Sequence, residues 1–341
     1  VTTATKTFKA FQLTEFGTKK IIQIDRAAQA PLSHEVLVAI KAASLNFRDL
    51  MVSKGIYSRA IKLPVVPLSD GAGEVIAVGD KVTRFKVGDR VSPNFMPDWI
   101  SGAVTAEVSK TSLGAFVDGV LQEQMIFNES SLVTIPEHLS YEEAATLPCA
   151  ALTAWQALIV KGQLKPGETV LVLGTGGVSI FALQIARACG AEVIATTSSD
   201  EKAARLKEMG AAHVINYKTN PDWDEAVLKY TGGHGVDHVI EVGGAGTLDR
   251  SLKAVRMGGH VSVIGVLAGA GQFNPIPVLM KAVDLRGIFV GSRTMYEDMN
   301  RAVSLDKLKP VIDKVFPASE IVSALEHLES GQHFGKVVIK L

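Results

Sequence analysis

Cysteine is close to absent from this chain. Cys149 and Cys189 are the only two in 341 residues. Far apart in sequence, they make neither a disulfide framework nor a metal-ligand spacing, and such a chain suits a reducing cytoplasm. Aromatics are also few, with 3 Trp and 5 Tyr. No basic–aromatic alternation suggests a platform for single strands. A charge of one sign is missing too: 35 basic residues face 35 acidic ones, so nothing electrostatic favours nucleic acid. No apolar run approaches the length of a membrane span. The opening residues Val1 to Lys6 lack the apolar core of a secretory signal. The expectation is a cytoplasmic protein with neither a nucleic-acid nor a membrane partner. Its length allows two domains and a large core.

What is present centres on one stretch. The apolar, β-branched run Thr169 to Leu173 ends in Gly174-Thr175-Gly176-Gly177-Val178-Ser179. Ile180, Leu183, Ile185 and Ala186 follow at helical spacing. That is the strand–turn–helix of a dinucleotide-binding site. The first glycine makes the tight turn. The second lets the backbone approach the pyrophosphate, whose charge then rests on the helix N-terminus. The third position, usually glycine for close helix–strand packing, is Ser179. A lone, imperfect Gly-rich turn also fits an ordinary βα connection. A second apolar strand, Glu192 to Thr197, follows at the interval of a βαβ unit, about 30 residues.

At the end of that strand an NAD-preferring protein places an acid on the ribose 2′-hydroxyl. Here stand Thr197, Ser198 and Ser199, then Asp200, Glu201 and Lys202. Small hydroxyls leave room for a 2′-phosphate and Lys202 supplies a counter-charge, which favours NADP(H) over NAD(H). The alternative makes Ser199 the N-cap of a helix with Asp200 and Glu201 in its first turn. Both can hold together.

The first third reads as β-rich, with Phe8 to Leu13, Glu35 to Ala42, Gly73 to Gly79 and Lys86 to Val91 as strands or turn–strand pairs. Short strands with Gly/Asp turns suggest a compact barrel or sandwich. From about Ser140, a candidate N-cap, helix and strand alternate. The later strands are Val214 to Tyr217, His238 to Val242 and Gly259 to Gly265. This alternation predicts a doubly wound α/β sheet. An amphipathic helix from Ser319 to His327 and a strand from Lys336 to Leu341 close the chain.

Together these motifs resemble the medium-chain dehydrogenase/reductase superfamily over nearly the whole chain. The matching elements are Gly71-Ala72-Gly73-Glu74-Val75 with Val78-Gly79, Val87 to Val91, Ala144 to Pro148, Leu152 to Trp155, and the Gly174 turn. The resemblance implies a GroES-like β-barrel catalytic domain from residues 1–128 and 290–341, and a Rossmann domain over 129–289. It also implies a homodimer joined through the Rossmann sheet edge near Asp284 to Phe289. A zinc alcohol dehydrogenase of this superfamily carries a Cys within Ala43 to Asp49 and His-Glu just before Gly71. Here Asn46, Ser69 and Asp70 stand instead, and only the third ligand position matches, at Cys149. One thiolate and one Asp make a poor tetrahedral zinc site. The four clustered cysteines of a structural zinc lobe are missing from Pro93 to Gln124. The expectation is no zinc, with Cys149 a small buried core residue.

The segment Leu45 to Asp49 with Gly55 is similar to zinc-free quinone oxidoreductases and enoyl reductases. Val214-Ile215-Asn216-Tyr217 is similar to the quinone oxidoreductases, where the Tyr and a Lys like Lys202 contact the adenosine phosphate. That carry-over supports NADPH; a half-buried strand end is the alternative for Tyr217. By resemblance, Thr153 touches the nicotinamide, Ile264 and Val266 with Phe289 and Gly291 meet its carboxamide, and Gly243 and Gly244 line the groove. A helix-interior Thr is the alternative for Thr153.

Without a Lewis acid, an already electrophilic acceptor is the easier substrate. Asn46 is the leading candidate for a hydrogen bond to substrate or ribose, or else a turn-stabilising Asn. Arg48 and Asp49 read as a structural pair, Asp70 as a proton relay or a turn cap, Arg293 as a solvated cation or a contact to a phosphate or a substrate acid, and the histidines as structural. Tyr57 to Lys62 and Phe95 to Gly119 are expected to shape the substrate pocket. The expected activity is hydride transfer to a quinone, enone or enal. Alcohol–carbonyl interconversion and non-catalytic NADPH binding are the alternatives.

Overall fold

The computed structural model describes residues 6–265, Leu267, Gly269 and residues 271–341. The chain divides into two units: residues up to Leu152 with Gly291–Leu341, and Thr153–Val290. The sequence placed the first boundary at 128/129. Residues 129–152 instead group with the first unit, because a strand at 132–134 pairs there and the start of the following helix packs on its sheet.

Within the first unit, β1 (Thr7–Leu13) and β2 (Ile21–Ala27) form an antiparallel hairpin. β3 (Glu35–Ser44) is the strand the sequence predicts and alternates over its first half: Val36, Val38 and Ile40 are buried, Glu35, Leu37 and Ala39 half-buried and Lys41 exposed. It leads into α1 (Phe47–Ser53), then β4 (Asp70–Val78), β5 (Arg90–Pro93), β6 (Gln124–Asn128) and β7 (Leu132–Thr134). α2 runs from Tyr141 to Lys161 and begins at a capping box. Ser140 Oγ accepts from Glu143 N at 3.1 Å, and the Glu143 carboxylate accepts from Ser140 N at 2.7 Å. Contrary to the expectation of no apolar run near membrane length, α2 is long and apolar enough to span one by length and composition. Its apolar surface goes elsewhere: 72% of that window is buried inside the protein.

In the second unit, β8 (Thr169–Leu173), β9 (Glu192–Thr197), β10 (His213–Asn216), β11 (Val236–Glu241), β12 (Val255–Val263) and β13 (Asp284–Gly287) form one parallel sheet. Its order is β10-β9-β8-β11-β12-β13. Counted from β8 this is the doubly wound order of dinucleotide-binding sheets, with the switch point between β8 and β11. The helices between strands are α3 (Gly177–Ala188), α4 (Asp200–Glu208), α5 (Trp223–Tyr230), α6 (Leu248–Ala254) and α7 (Ile276–Met280). α3 buries Ile180, Phe181, Leu183 and Ile185. Each such side chain contributes about 1.5–3 kcal/mol when fully buried, so α3 is anchored close behind the turn that precedes it.

The chain then returns to the first unit through α8 (Arg293–Asp306), β14 (Ile312–Pro317), α9 (Ile321–Glu329) and β15 (Lys336–Lys340). β15 completes the larger sheet, ordered β14-β15-β3-β4-β5-β7 with β6 also on β3. The β15–β3 register pairs Val338 with Ser44. Continued two residues, it sets Lys336 opposite Asn46.

Candidate active site

The cofactor turn lies at the carboxyl end of β8. Gly174 has φ +72°, a left-handed conformation that favours glycine. Its N–H reaches Thr196 O at 3.0 Å and Thr196 Oγ1 at 3.2 Å, tying the turn to the adjacent strand. Thr175 is buried, while Val178 and Gly177 are half-buried at the start of α3. No side chain caps α3, and its first turn carries no acid. Its leading N–H groups therefore keep their positive end for an anion. A Cβ added at Gly174 or Gly176 would meet nothing within 4 Å, so the backbone there stands open. Ser179 explains the missing third glycine. It is buried, and its hydroxyl donates to Leu173 O at 2.6 Å across the turn. Its small side chain thus satisfies its own polar atom in the space where glycine is usual.

Around this turn the strand ends gather the other expected residues. Thr197 is buried at the end of β9, with Ser198 and Lys202 half-buried beyond it. Ser199 caps α4, accepting from Lys202 N at 3.1 Å. Tyr217 is 40% exposed just past β10, and its N–H donates to Thr197 O at 2.9 Å. Ile264 follows β12 and donates its N–H to Glu241 O at 2.8 Å. Val266 lies outside the described residues. Phe289 is half-buried beside Val290, whose φ of +51° is strained for a β-branched residue. Thr153 is buried in α2. Gly291 is buried in the first unit, where a Cβ would fall 2.7 Å from Leu152 Cγ.

Sequence reasoning missed Glu241. This buried carboxylate ends β11 at the switch point. It accepts from Gly243 N at 2.8 Å, Gly244 N at 2.9 Å and Thr247 Oγ1 at 2.5 Å, and also from Ser251 Oγ. It thereby folds the glycine turn back on itself. A Cβ at Gly243 would sit 2.2 Å from Thr247 Oγ1, so only glycine fits this approach. The available signal was an acid closing an apolar strand directly before a glycine pair.

The first unit holds a second constellation, made of buried charges. Asn46 precedes α1, and its N–H donates to Asp49 Oδ2 at 2.8 Å. Arg48 NH1 donates to Asp49 Oδ1 at 3.1 Å and to Leu113 O at 2.8 Å. The Arg48 guanidinium lies between the Tyr57 and Phe95 rings, 4.9 Å from each centroid. Arg48 and Asp49 are therefore paired as the sequence suggests, and each of the two loops expected to shape the substrate pocket sets a ring against Arg48. Burial raises Asp49 to about 6 against the opposing Arg48 charge.

Asp70, at the start of β4, accepts from Ser69 Oγ at 2.7 Å and from Cys149 N at 3.0 Å. That N–H is released from the usual helix ladder because α2 takes a π-helical turn over Leu147–Ala151, around Pro148. Burial raises the Asp70 pKa, while Lys336, Asn46, Ser69 and the Cys149 N–H oppose the shift. Cys149 keeps some accessible surface rather than lying fully in the core, yet desolvation pushes its thiol well above the ordinary range.

Lys336 completes the cluster, and sequence reasoning missed it as well. Its ammonium donates to Leu45 O and to Asn46 Oδ1, both at 2.6 Å. With the Asn46 oxygen engaged, the amide nitrogen is buried beside the Asp70 carboxylate, which it helps to stabilise. No local signal marked Lys336, since lysine in a short terminal strand is ordinarily exposed.

One smaller expectation, that of Arg293, is corrected. Arg293 is not a solvated cation: only 14% of its side chain is exposed, and it donates to Ser130 O at 3.0 Å. The histidines make pairs such as His238 with Glu168 at 3.0 Å. Among the described residues no group of three His, Cys, Asp or Glu could hold a metal.

Two family models match the chain. Residues 32–137 match the alcohol dehydrogenase GroES-like domain, and residues 177–305 the zinc-binding dehydrogenase. A zinc-type alcohol dehydrogenase-like protein of Schizosaccharomyces pombe is 47% identical, covering 90% of this chain and 91% of its own. Human quinone oxidoreductase is 31% identical over 99% of each chain. A solved structure from Sinorhizobium meliloti 1021, provisionally described as an alcohol dehydrogenase, is 43% identical with a TM-score of 0.92, covering 98% of this chain and 99% of that one.

The family descriptions raise the question of zinc. A catalytic zinc takes three protein ligands drawn from thiolate, imidazole and carboxylate. The matching positions here supply the Asn46 amide, a Ser69–Asp70 hydrogen-bonded pair and the Cys149 thiol, so only one strong zinc ligand and one carboxylate stand where three ligands are needed. An ammonium already sits on Asn46. These residues do not fit a catalytic zinc. A nicotinamide dinucleotide does fit the second unit: the open glycine backbone, the uncapped α3 terminus and the switch point stand together. The chain belongs to the medium-chain dehydrogenase/reductase superfamily, as a GroES-like unit with a Rossmann unit, and is a nicotinamide-dependent oxidoreductase.

Proposed function

We propose that this enzyme is a zinc-independent, NADPH-dependent reductase of quinones, enones or enals. The observation that carries the reading is the Lys336 ammonium on Asn46 Oδ1, where a zinc relative would present a thiolate ligand. A fixed cation disfavours a second cation beside it. The bound cofactor supplies a hydride, and a proton from water completes the reduction. The chain's own part is orientation and exclusion of water. Lys336 takes the oxygen of the Asn46 amide, and the amide nitrogen is buried beside Asp70, so Asn46 is held in place rather than offered to a metal.

Two further parts of this reading concern assembly and location. β13 is an edge strand, and Met257, Ile276, Leu279 and Met280 nearby are 62–80% exposed. An apolar edge of that kind favours a homodimer, which sedimentation should report as twice the chain mass. The scarcity of cysteine, with Cys149 and Cys189 far apart in the sequence, favours a reducing compartment such as the cytoplasm.

The test is NADPH oxidation on a panel of quinones, enones and enals, with and without chelator, beside zinc analysis of the pure protein. Turnover unaffected by chelator in zinc-free protein is expected. Stoichiometric zinc with alcohol oxidation would instead establish the alcohol dehydrogenase reading, which the name of the 47% identical relative favours. Cofactor binding without turnover on any acceptor would leave a non-catalytic NADPH-binding protein.

A further inference from the structure

The acidic start of α4 is at odds with a cofactor carrying a 2′-phosphate. Asp200 is the first residue of that helix, three positions beyond the end of β9. In sheets of this order the adenosine ribose lies at the end of the second strand, and a carboxylate there accepts from the 2′-hydroxyl of NAD. A mobile Asp200 would therefore select against a phosphate.

Asp200 is not left mobile. β10 pairs with β9 in a register that puts Asn216 beside Thr197. From there Asn216 Nδ2 donates to Asp200 Oδ1 at 2.8 Å. The other half of the amide is also fixed, since Asn216 Oδ1 accepts from Lys218 N at 3.1 Å. An amide whose oxygen takes a backbone N–H must present its NH₂ to the carboxylate. The turn that carries it is braced as well: Asn216 O accepts from Asn220 N at 2.8 Å and from Thr219 Oγ1 at 3.2 Å. Tyr217, next in the chain, is held to Thr197 O at 2.9 Å.

We propose that Asn216 is a cofactor-specificity residue, which holds the Asp200 carboxylate against the end of β10 and so keeps it from the ribose 2′ position. The inference rests on the NADPH reading above and adds the reason that reading survives an acidic helix start. The position of the Asp200 carboxylate is set by the neighbouring strand. Without Asn216 the carboxylate turns freely, accepts from a 2′-hydroxyl and repels a 2′-phosphate. Moving one charge from about 10 Å to about 7 Å of a dianion in water weakens NADPH about twofold, and the hydrogen bond gained to the 2′-hydroxyl strengthens NADH about three- to fivefold.

The experiment measures dissociation constants of NADPH and NADH, by calorimetry, for the wild type, N216A, D200N and N216A/D200N. Wild type should prefer NADPH. N216A should lower the NADPH-to-NADH preference about five- to tenfold, and the double variant should restore it, because the freed acid is gone. D200N alone should keep the preference or raise it. An unchanged ratio in N216A, with NADPH still preferred, overturns the role of Asn216 and leaves the cofactor reading standing. An equal loss for both cofactors in N216A that the double variant does not repair has the same meaning, since Asn216 is then only a structural brace. A wild type that prefers NADH, or binds neither cofactor, overturns the cofactor reading and this inference with it.

Discussion

The two units solve the problem of buried polarity in opposite ways. In the second unit the cofactor turn works through backbone groups at consecutive positions, Gly174 to Val178, with one hydroxyl, Ser179, satisfied locally. Its one fully buried acid at the switch point, Glu241, is met by neighbours within ten residues along the chain. The first unit brings Asn46, Arg48, Asp49, Asp70 and Lys336 together from both ends of the chain, and balances two carboxylates against two cations. A backbone site is rigid because α3 is packed directly behind it. A side-chain site of this kind is rigid only while every partner is present. The first should tolerate substitutions that keep its volume; the second should not tolerate losing a member.

The sharpest way to break that comparison is Lys336→Met. It leaves Asp70 without its main opposing cation and the Asn46 oxygen unpaired, and should destabilise the protein by about 3–5 kcal/mol. A urea titration with unchanged slope and a lower midpoint is the expected result. A loss below about 1 kcal/mol would mean that water replaces the ammonium easily and that the cluster is not interdependent.

Ser179→Leu probes the backbone site. The position is buried beneath the turn, so the added bulk should strain the helix–strand contact by about 1–3 kcal/mol. Cofactor affinity should fall along with stability, as calorimetry would show. Unchanged affinity would separate the turn from the packing held to support it.

Asp49 offers a pH test. Its folded pKa of about 6 lies above its unfolded value near 3.8. The stability that follows from this shift is complete below pH 3.8 and is lost as pH rises through about 6. The Asp49→Asn variant should therefore show a shallower fall in unfolding free energy between pH 4 and 6. Parallel profiles in both proteins would assign the dependence to other groups.

The smallest effect is expected at the surface. Arg301 and Asp298 pair at 2.6 Å with side chains 74% and 52% exposed. Asp298→Ala should change stability by about 0–0.5 kcal/mol. A larger loss would show that burial is not what separates the cluster from ordinary ion pairs.

The pattern of the second unit was legible in advance because its signals are local. The β-branched run of β8, the glycine turn and the period of α3 are contiguous. Arg48 and Asp49 were read as a pair because they adjoin, and their bond bears this out. Arg293 was misjudged as solvated, because the carbonyl that holds it, Ser130 O, is 163 residues away. The membrane-length run in α2 was overlooked because Glu142, Glu143 and Lys161 punctuate its ends.

The sequence by itself determined the doubly wound unit, the β-rich unit and the cofactor turn, since hydrophobic period and glycine geometry act over a few residues. Only the tertiary structure decided which charges meet. Lys336 reaches Asn46 through the antiparallel register of β15 on β3. Asn216 reaches Asp200 through the parallel register of β10 on β9. Register is a property of paired strands and not of either strand alone, so neither contact is visible in the stretches of sequence that make it.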